Sequence, residues 1–475
     1  MQPPELRLRV TSPGLLALPW ERPLREWDAT EVPLRDIPVG PSRHLVRFVE
    51  TDGQLWALKQ LPERTAAKEY AVLRELETMG LPAVRAAGLV IQPEPAADEF
   101  GRQENNAVLV THFLSQSWQF RRLFLRLPPN RPKHRARLLD AMASLLVDLH
   151  RHGVFWGDCS LANTLFSRDG QVLQAWLVDA ETSEVHARLS EGQRQYDLDI
   201  LVENVAGGMI DMAARLTEQA ALTGVPIPAG PEATRTDGGT DGGTDGGTDG
   251  PPDLEDTLIE EAYGVATRYQ ELWDALHAEP TFNFADRYRV EGQLRQLEEL
   301  GFVVDEIELR PVADGADQLR LKVAVGDRRF HAEYLRKVAG MDVGEGQASI
   351  LLGDLRAYAA ELGRREGGDV PESAAAVGWL ERVVLPGMRR AHAAVGGVGS
   401  AIQAYCDLLE VRWILSERAG SDVGDAVALA ALARGGPTDS AARMAVADAP
   451  TGQLPQLTAE RLSELDQAEK TTGLE

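Results

Sequence analysis

Between Thr236 and Gly250 the chain reads TDGGTDGGTDGGTDG, a four-residue repeat without one apolar side chain. Nothing in it can offset the entropy of ordering it, so it reads as a flexible linker and as the clearest domain boundary in the chain. Calcium on its aspartates is the competing reading. The repeat lacks the apolar position and nonapeptide period of a calcium-binding β-roll, and it lacks the closing Glu of an EF-hand loop. At 475 residues, each flank is long enough to bury its own core. The expected division is an N-terminal extension over 1–35, a first domain over 36–226 and the linker over 227–253. A mainly helical second domain follows over 254–436, and the Ala-, Thr- and acid-rich stretch 437–475 is expected to be a disordered tail with at most one short helix.

Charge narrows the function classes. Lys and Arg number 49 against 73 Asp and Glu, a formal charge of −24, which argues against a protein that coats nucleic acid or an anionic membrane. The only cysteines, Cys159 and Cys406, are far apart, which excludes a disulfide scaffold and a Cys-rich zinc site and suits a reducing compartment. The longest apolar run, Ala426 to Ala433, is far short of a bilayer span, and the start MQPPE has no secretion-signal pattern. The expectation is a cytoplasmic protein with no transmembrane segment and no nucleic-acid partner.

Periodicity then places the elements. Residues 45–50 and 55–59 read as a β-hairpin around Asp52-Gly53, and 65–79 as a helix with Val72, Leu73, Leu76 and Met79 on one face. A short strand is expected at 107–111. A long helix carrying Leu138, Met142, Leu145, Leu146 and Leu149 ends near His152-Gly153, with His150 and His152 read as closing its C-terminus. Another strand is expected over 174–179. Beyond the linker, helices are expected at 254–277, 286–300, 344–364, 372–384, 401–417 and 422–434, with strands at 302–309 and 319–325.

Five polar residues in the first half stand where phosphoryl transfer would need them. Lys59 ends the second hairpin strand, Glu69 lies on the next helix, Asp158 and Asn163 follow the long helix, and Asp179 ends the later strand. Transfer from ATP needs a lysine on the phosphates and a helix carboxylate to hold that lysine. It also needs an Asp to orient the attacking hydroxyl, and an Asn and a second Asp to supply hard oxygens to Mg2+. Singly, each has a bland reading: a surface lysine, a solvated helix glutamate, a chance D-x-x-x-x-N, a strand cap. Their order and their placement on the right elements argue for a site. Asp197 and Asp199 are read as structural, and Cys159 as a small filler, because this chemistry has no use for a thiol.

This set resembles the protein-kinase-like fold, with Asp158 and Asn163 matching the Asp-x-x-x-x-Asn of its catalytic loop. More narrowly, the first half resembles the lipopolysaccharide (Kdo/WaaP-type) kinases. The chain as a whole is similar to an actinobacterial domain-of-unknown-function family in which such a half precedes a helical domain. Leu18-Pro19-Trp20, His44-Leu45-Val46-Arg47-Phe48-Val49, Glu203-Asn204-Val205-Ala206-Gly207-Gly208 and Trp413-Ile414-Leu415-Ser416-Glu417 carry that second likeness. The kinase motifs cover about 40–215, and the family likeness runs to about 435.

The resemblance implies an α+β fold: a two-lobed kinase-like domain followed by a mostly α-helical C-terminal domain with a small sheet. It also implies a Mg2+-dependent ATP phosphotransferase acting on a hydroxyl of a sugar, another small molecule or a protein. Lys59 and Glu69 would bind ATP, Asp158 and Asn163 would be catalytic, and Asn163 and Asp179 would hold metal. There are departures. The phosphate-covering loop is reduced to Val39-Gly40-Pro41-Ser42-Arg43, and Gly157 and Ser160 stand where protein kinases commonly have Arg and Lys. Ala180-Glu181 replaces Phe-Gly after Asp179, and Asp197 follows too closely, without an Ala-Pro-Glu, for a peptide-docking segment. These departures favour a small-molecule kinase over a Ser/Thr protein kinase. They also keep open a pseudokinase or nucleotide-binding scaffold without turnover.

One basic stretch interrupts the acidic chain: Arg121, Arg122, Arg126, Arg131, Lys133, Arg135 and Arg137. It reads either as a face complementing acidic neighbours of the same chain or as an anion patch beside the cleft. In the second half, Asp342, Glu345, Arg382 and Glu410 read as helix-surface or inter-domain pairs.

Overall fold

The computed structural model describes residues 3–37, 43–97, 103–120, 123, 132–223, 254–283, 288–312, 318–437 and 440–442. The loop at 39–42, the linker, Arg121, Arg122, Arg126, Arg131 and nearly all of the 437–475 tail lie outside the described residues.

The upper lobe is built on the hairpin. Strands β1 (Glu5–Leu8), β2 (Leu34–Arg35), β3 (Val46–Thr51), β4 (Gln54–Pro62), β5 (Ala86–Ala97) and β6 (Gln103–His112) form one antiparallel sheet in the order β1-β5-β6-β4-β3-β2. Asp52 and Gly53 close the β3–β4 turn with φ of 52° and 72°, the left-handed pair that a tight hairpin requires and Asp-Gly supplies. Helix α1 (Pro13–Leu16) and the rest of the N-terminal extension cover the outer face of the sheet. Trp20 and Trp27 meet edge-to-face at 5.2 Å there, over buried Trp56, Leu58 and Val108. Helix α2 (Glu63–Thr78) lays Ala66, Leu73 and Leu76 on the other face.

The lower lobe contains β7 (Ser117–Gln119), α3 (Pro132–Arg151), β8 (Val154–Phe155), β9 (Thr164–Asp169), β10 (Val172–Leu177), β11 (Glu184–Val185) and α4 (Glu191–Thr223). The strand expected at 174–179 spans 172–177, so Asp179 stands two residues past its end, in a loop. Its partner β9 and the whole of α4 were not legible in the sequence. In α4 the Gly207-Gly208 pair hides the helix, and packing explains Gly208: a Cβ there would come 2.8 Å from Leu161 Cδ1.

Beyond the linker, α5 (Leu254–His277) buries Leu258, Ala262, Val265 and Tyr269 in the same core as α3 and α4. Strand β12 (Thr281–Asn283), α6 (Tyr288–Glu299), β13 (Val304–Pro311) and β14 (Gln318–Val325) follow, the strands ordered β12-β14-β13. Helices α7 (Phe330–Ala339), α8 (Glu345–Glu366), α9 (Glu372–Trp379), α10 (Leu385–Ala394), α11 (Ala401–Ala419) and α12 (Gly424–Leu432) enclose a second core around Leu351, Leu355, Trp379 and Tyr405. The helix expected to stop at 384 instead passes through a π turn over Leu380–Val384 into α10.

The two cores are docked closely. Asp169, at the β9–β10 turn, accepts the Gly346 and Gln347 N–H groups at 2.8 and 2.9 Å, capping the start of α8. A Cβ on Gly346 would lie 2.2 Å from the Asp169 carbonyl oxygen, so only glycine admits this approach. Glu410 of α11 accepts the Ala441 N–H and sits 3.7 Å from Arg137 of α3, so the inter-domain reading of Glu410 holds. Arg135 forks onto Glu261 at 2.6 and 2.7 Å; these two arginines complement acidic neighbours of their own chain. No helix among the described residues is long and apolar enough to cross a membrane.

Candidate functional site

Lys59 stands on the inner face of β4, where alternation turns it away from Leu58 and into the cleft between the lobes. Its Nζ lies 3.1 Å from Glu69 Oε2, 2.6 Å from Asp179 Oδ2 and 3.7 Å from Glu181 Oε2. Glu69 is 1% exposed, and its Oε1 also accepts the Ala180 N–H at 3.3 Å. One buried carboxylate thus ties α2 to both the lysine and the loop of Asp179.

Asp158 precedes the short 3₁₀ turn Leu161–Asn163 that Asn163 ends, and Asn163 Nδ2 donates to Asp158 Oδ2 at 3.1 Å. All five residues line one cleft of about 280 Å³. Val46, Ala57, Val84, Leu109, Leu165 and Val178 supply apolar lining, while the carboxylates gather around the lysine.

The loop that carries Asp158 hangs from Asp197. This fully buried carboxylate accepts the Trp156 N–H at 2.7 Å and the Gly157 N–H at 2.8 Å. Gly157 has φ of 81° with the Thr182 carbonyl beside it, which accounts for glycine where protein kinases commonly have Arg. The structural reading of Asp197 therefore acquires a definite job. The reading of the two histidines needs correcting. His152 does bond the Asp148 carbonyl, but His150 is fully buried and bridges Asp197 and Tyr269 instead of closing the helix. Cys159 is buried and its thiol is pushed well up by desolvation, so it stays neutral.

Sequence reasoning missed two cleft residues. Glu181 and His44 pair at 2.9 Å at the cleft mouth, and the Asp-x-Glu spacing after the strand was the available signal.

Charge in the cleft is shared unevenly. Burial opposes the charge on Lys59, but Glu69 and Asp179 outweigh it, and its pKa is raised. Burial pushes the Glu69 carboxyl up from 4.5 to about 7, with Lys59 pulling the other way and Asp179 adding to the rise. Between pH 4.5 and 7 the folded protein keeps a proton on Glu69 that the unfolded chain has released. Stability therefore falls as pH rises through that window. Glu69→Gln is expected to flatten this fall, read as Tm against pH. An unchanged slope would assign it to other groups.

The donor set fits magnesium. Asn163 Oδ1 and the Asp179 carboxylate are hard oxygens in one cleft, although among the described residues no three His, Cys, Asp or Glu side chains form a ready-made metal cluster.

The model of the lipopolysaccharide kinase (Kdo/WaaP) family matches residues 51–221, and that of a domain of unknown function, DUF4032, matches 271–434. The chain has no significant match among curated proteins. Among solved structures it is similar to "WaaP in complex with acyl carrier protein", at 20% identity and a TM-score of 0.32, over 47% of this chain and 90% of that one. It is also similar to "Crystal structure of BubR1 kinase domain", at 14% identity and a TM-score of 0.26, over 34% of this chain and 49% of that one. The chain thus joins a half of kinase-like fold that resembles the lipopolysaccharide kinase (Kdo/WaaP) family to a half that the DUF4032 model matches.

Proposed function

We propose that the protein transfers the γ-phosphoryl group of ATP, with magnesium, to a hydroxyl of a small molecule, a sugar in the first instance. The observation that carries this reading is the Lys59–Glu69 ion pair facing Asp158, Asn163 and Asp179 across one cleft. The family match over 51–221 supports it, and the word lipopolysaccharide in that family's name favours a carbohydrate acceptor.

Lys59 would hold the α- and β-phosphates, kept in place by Glu69. Magnesium, held by Asn163 and Asp179, would offset the charge that develops on the phosphates. The Asp158 carboxylate would take the acceptor's hydroxyl proton as that oxygen bonds the γ-phosphorus. The bond to the β,γ-bridging oxygen breaks, and ADP leaves with that electron pair.

Thermal unfolding with millimolar ATP tests the reading. Wild type is expected to gain several degrees only when magnesium is present, and Asp179→Asn to lose that gain. No shift in wild type would refute nucleotide binding and leave a catalytically silent scaffold as the reading.

A further inference from the structure

We propose that Tyr269, from the helix that follows the linker, is a positioning residue for the catalytic loop. Through it the C-terminal half completes the kinase-like site. The inference rests on the proposed phosphoryl transfer and adds a residue outside the 51–221 match.

The geometry is a buried chain of hydrogen bonds. Tyr269 is 2% exposed, and its hydroxyl is 2.8 Å from His150 Nδ1. His150 Nε2 is 3.1 Å from Asp197 Oδ2, the same oxygen that accepts the Trp156 N–H two residues before Asp158. The proton positions follow by elimination. A carboxylate only accepts, so His150 Nε2 must carry the hydrogen. A neutral imidazole then has only a lone pair at Nδ1, so the Tyr269 O–H must donate to it. Burial lowers the His150 pKa, in keeping with a neutral ring.

Tyr269 itself is held from its own helix and from α4. It stacks on Trp273 at 5.9 Å, and the Arg194 guanidinium lies 4.2 Å above that Trp273 ring. The hydroxyl therefore fixes the tautomer and tilt of His150, and His150 fixes the carboxylate from which the loop hangs. Without the hydroxyl, Nδ1 has no donor in a dry site, and the His150–Asp197 contact becomes free to shift.

The test is Tyr269→Phe in the full chain, beside Tyr263→Phe, an exposed tyrosine on the same helix, as control. The readouts are magnesium-dependent ADP formation from ATP in the presence of a mixture of sugars, Tm, and hydrogen exchange of the peptide spanning 154–160. The expected result is a kcat about tenfold lower with KM for ATP unchanged. Exchange in 154–160 should be faster, with Tyr263→Phe like wild type. A lower Tm with unchanged kcat and unchanged exchange would reduce Tyr269 to a packing residue and overturn the proposal. If wild type forms no ADP with any sugar offered, the phosphoryl-transfer reading fails separately. Exchange then decides alone: faster in Tyr269→Phe sustains the relay, and unchanged overturns it.

Discussion

Asp158→Ala is expected to lower phosphoryl transfer by about 10³-fold or more, the range for loss of a positioned base, while leaving the fold and ATP binding intact. The separation of effects follows from where the residue sits. Asp158 touches Asn163 and faces the cleft but takes no part in the Lys59 cluster. It lies one residue past Gly157, whose N–H is held by Asp197, so the loop backbone keeps its anchor when the side chain goes. ATP should still stabilise the variant in magnesium, because Lys59, Glu69 and Asp179 are untouched. The measurement is turnover of wild type and variant at saturating ATP, with the magnesium-dependent Tm gain read in parallel. A variant as active as wild type would remove Asp158 from the mechanism. A variant that loses both turnover and the Tm gain would mean that Asp158 shapes the nucleotide site, not the acceptor step.

The contrast with Asp179 sharpens this. Asp179 makes the shortest contact to Lys59, so its loss changes the charge on which the ammonium sits as well as removing a proposed magnesium oxygen. One variant should spare binding and the other should abolish it. A residue set assembled by chance would not divide that way.

The five-residue set was legible because three independent signals agree: residue type, order, and the element that carries each residue. Lys59 and Glu69 could be placed because the hairpin and α2 have clean periodicity, which fixes the faces they share. His44 was not legible, and Glu181 was signalled only by its spacing from Asp179. Their pairing joins residues 137 positions apart, and neither stands on a patterned element. His150 shows the same limit from the other side. Its place at a helix end suggested a cap, but burial against Asp197 and Tyr269, elements not yet written when the helix ends, decides its role. The long helix α4 escaped because Gly207-Gly208 breaks its helix pattern, and of the two Gly208 is there for close packing against Leu161 in the turn before Asn163. Local pattern reports local causes; tertiary contacts overrode it where the site is assembled.

The second large effect is expected at the seam between the cores. Arg168 of β9 forks onto Asp407 of α11 with side-chain exposures of 3% and 5%, and one of its bonds, from Nη1 to Oδ2, measures 2.8 Å. Gln403 closes the ring: its Nε2 donates to Asp407 Oδ1 at 3.0 Å and to the Gly170 carbonyl at 2.9 Å, and its Oε1 accepts the Gly170 N–H. Asp407→Ala would leave a guanidinium buried beside an emptied site, at a cost of about 3–5 kcal/mol. The double variant Arg168→Met with Asp407→Leu removes both charges and should recover most of that loss, because desolvating the pair had offset much of its attraction. Denaturant unfolding of the three proteins, compared at equal slope, measures it. The outcome bears on function through β9, which begins at Thr164, the residue after Asn163, and ends at Asp169, which caps α8. A seam that fails at Arg168 frees the strand directly behind Asn163, so Asp407→Ala should weaken the magnesium-dependent ATP shift as well as stability. Loss of stability with a full ATP shift would mean that the C-terminal half braces the fold at this seam without reaching the site.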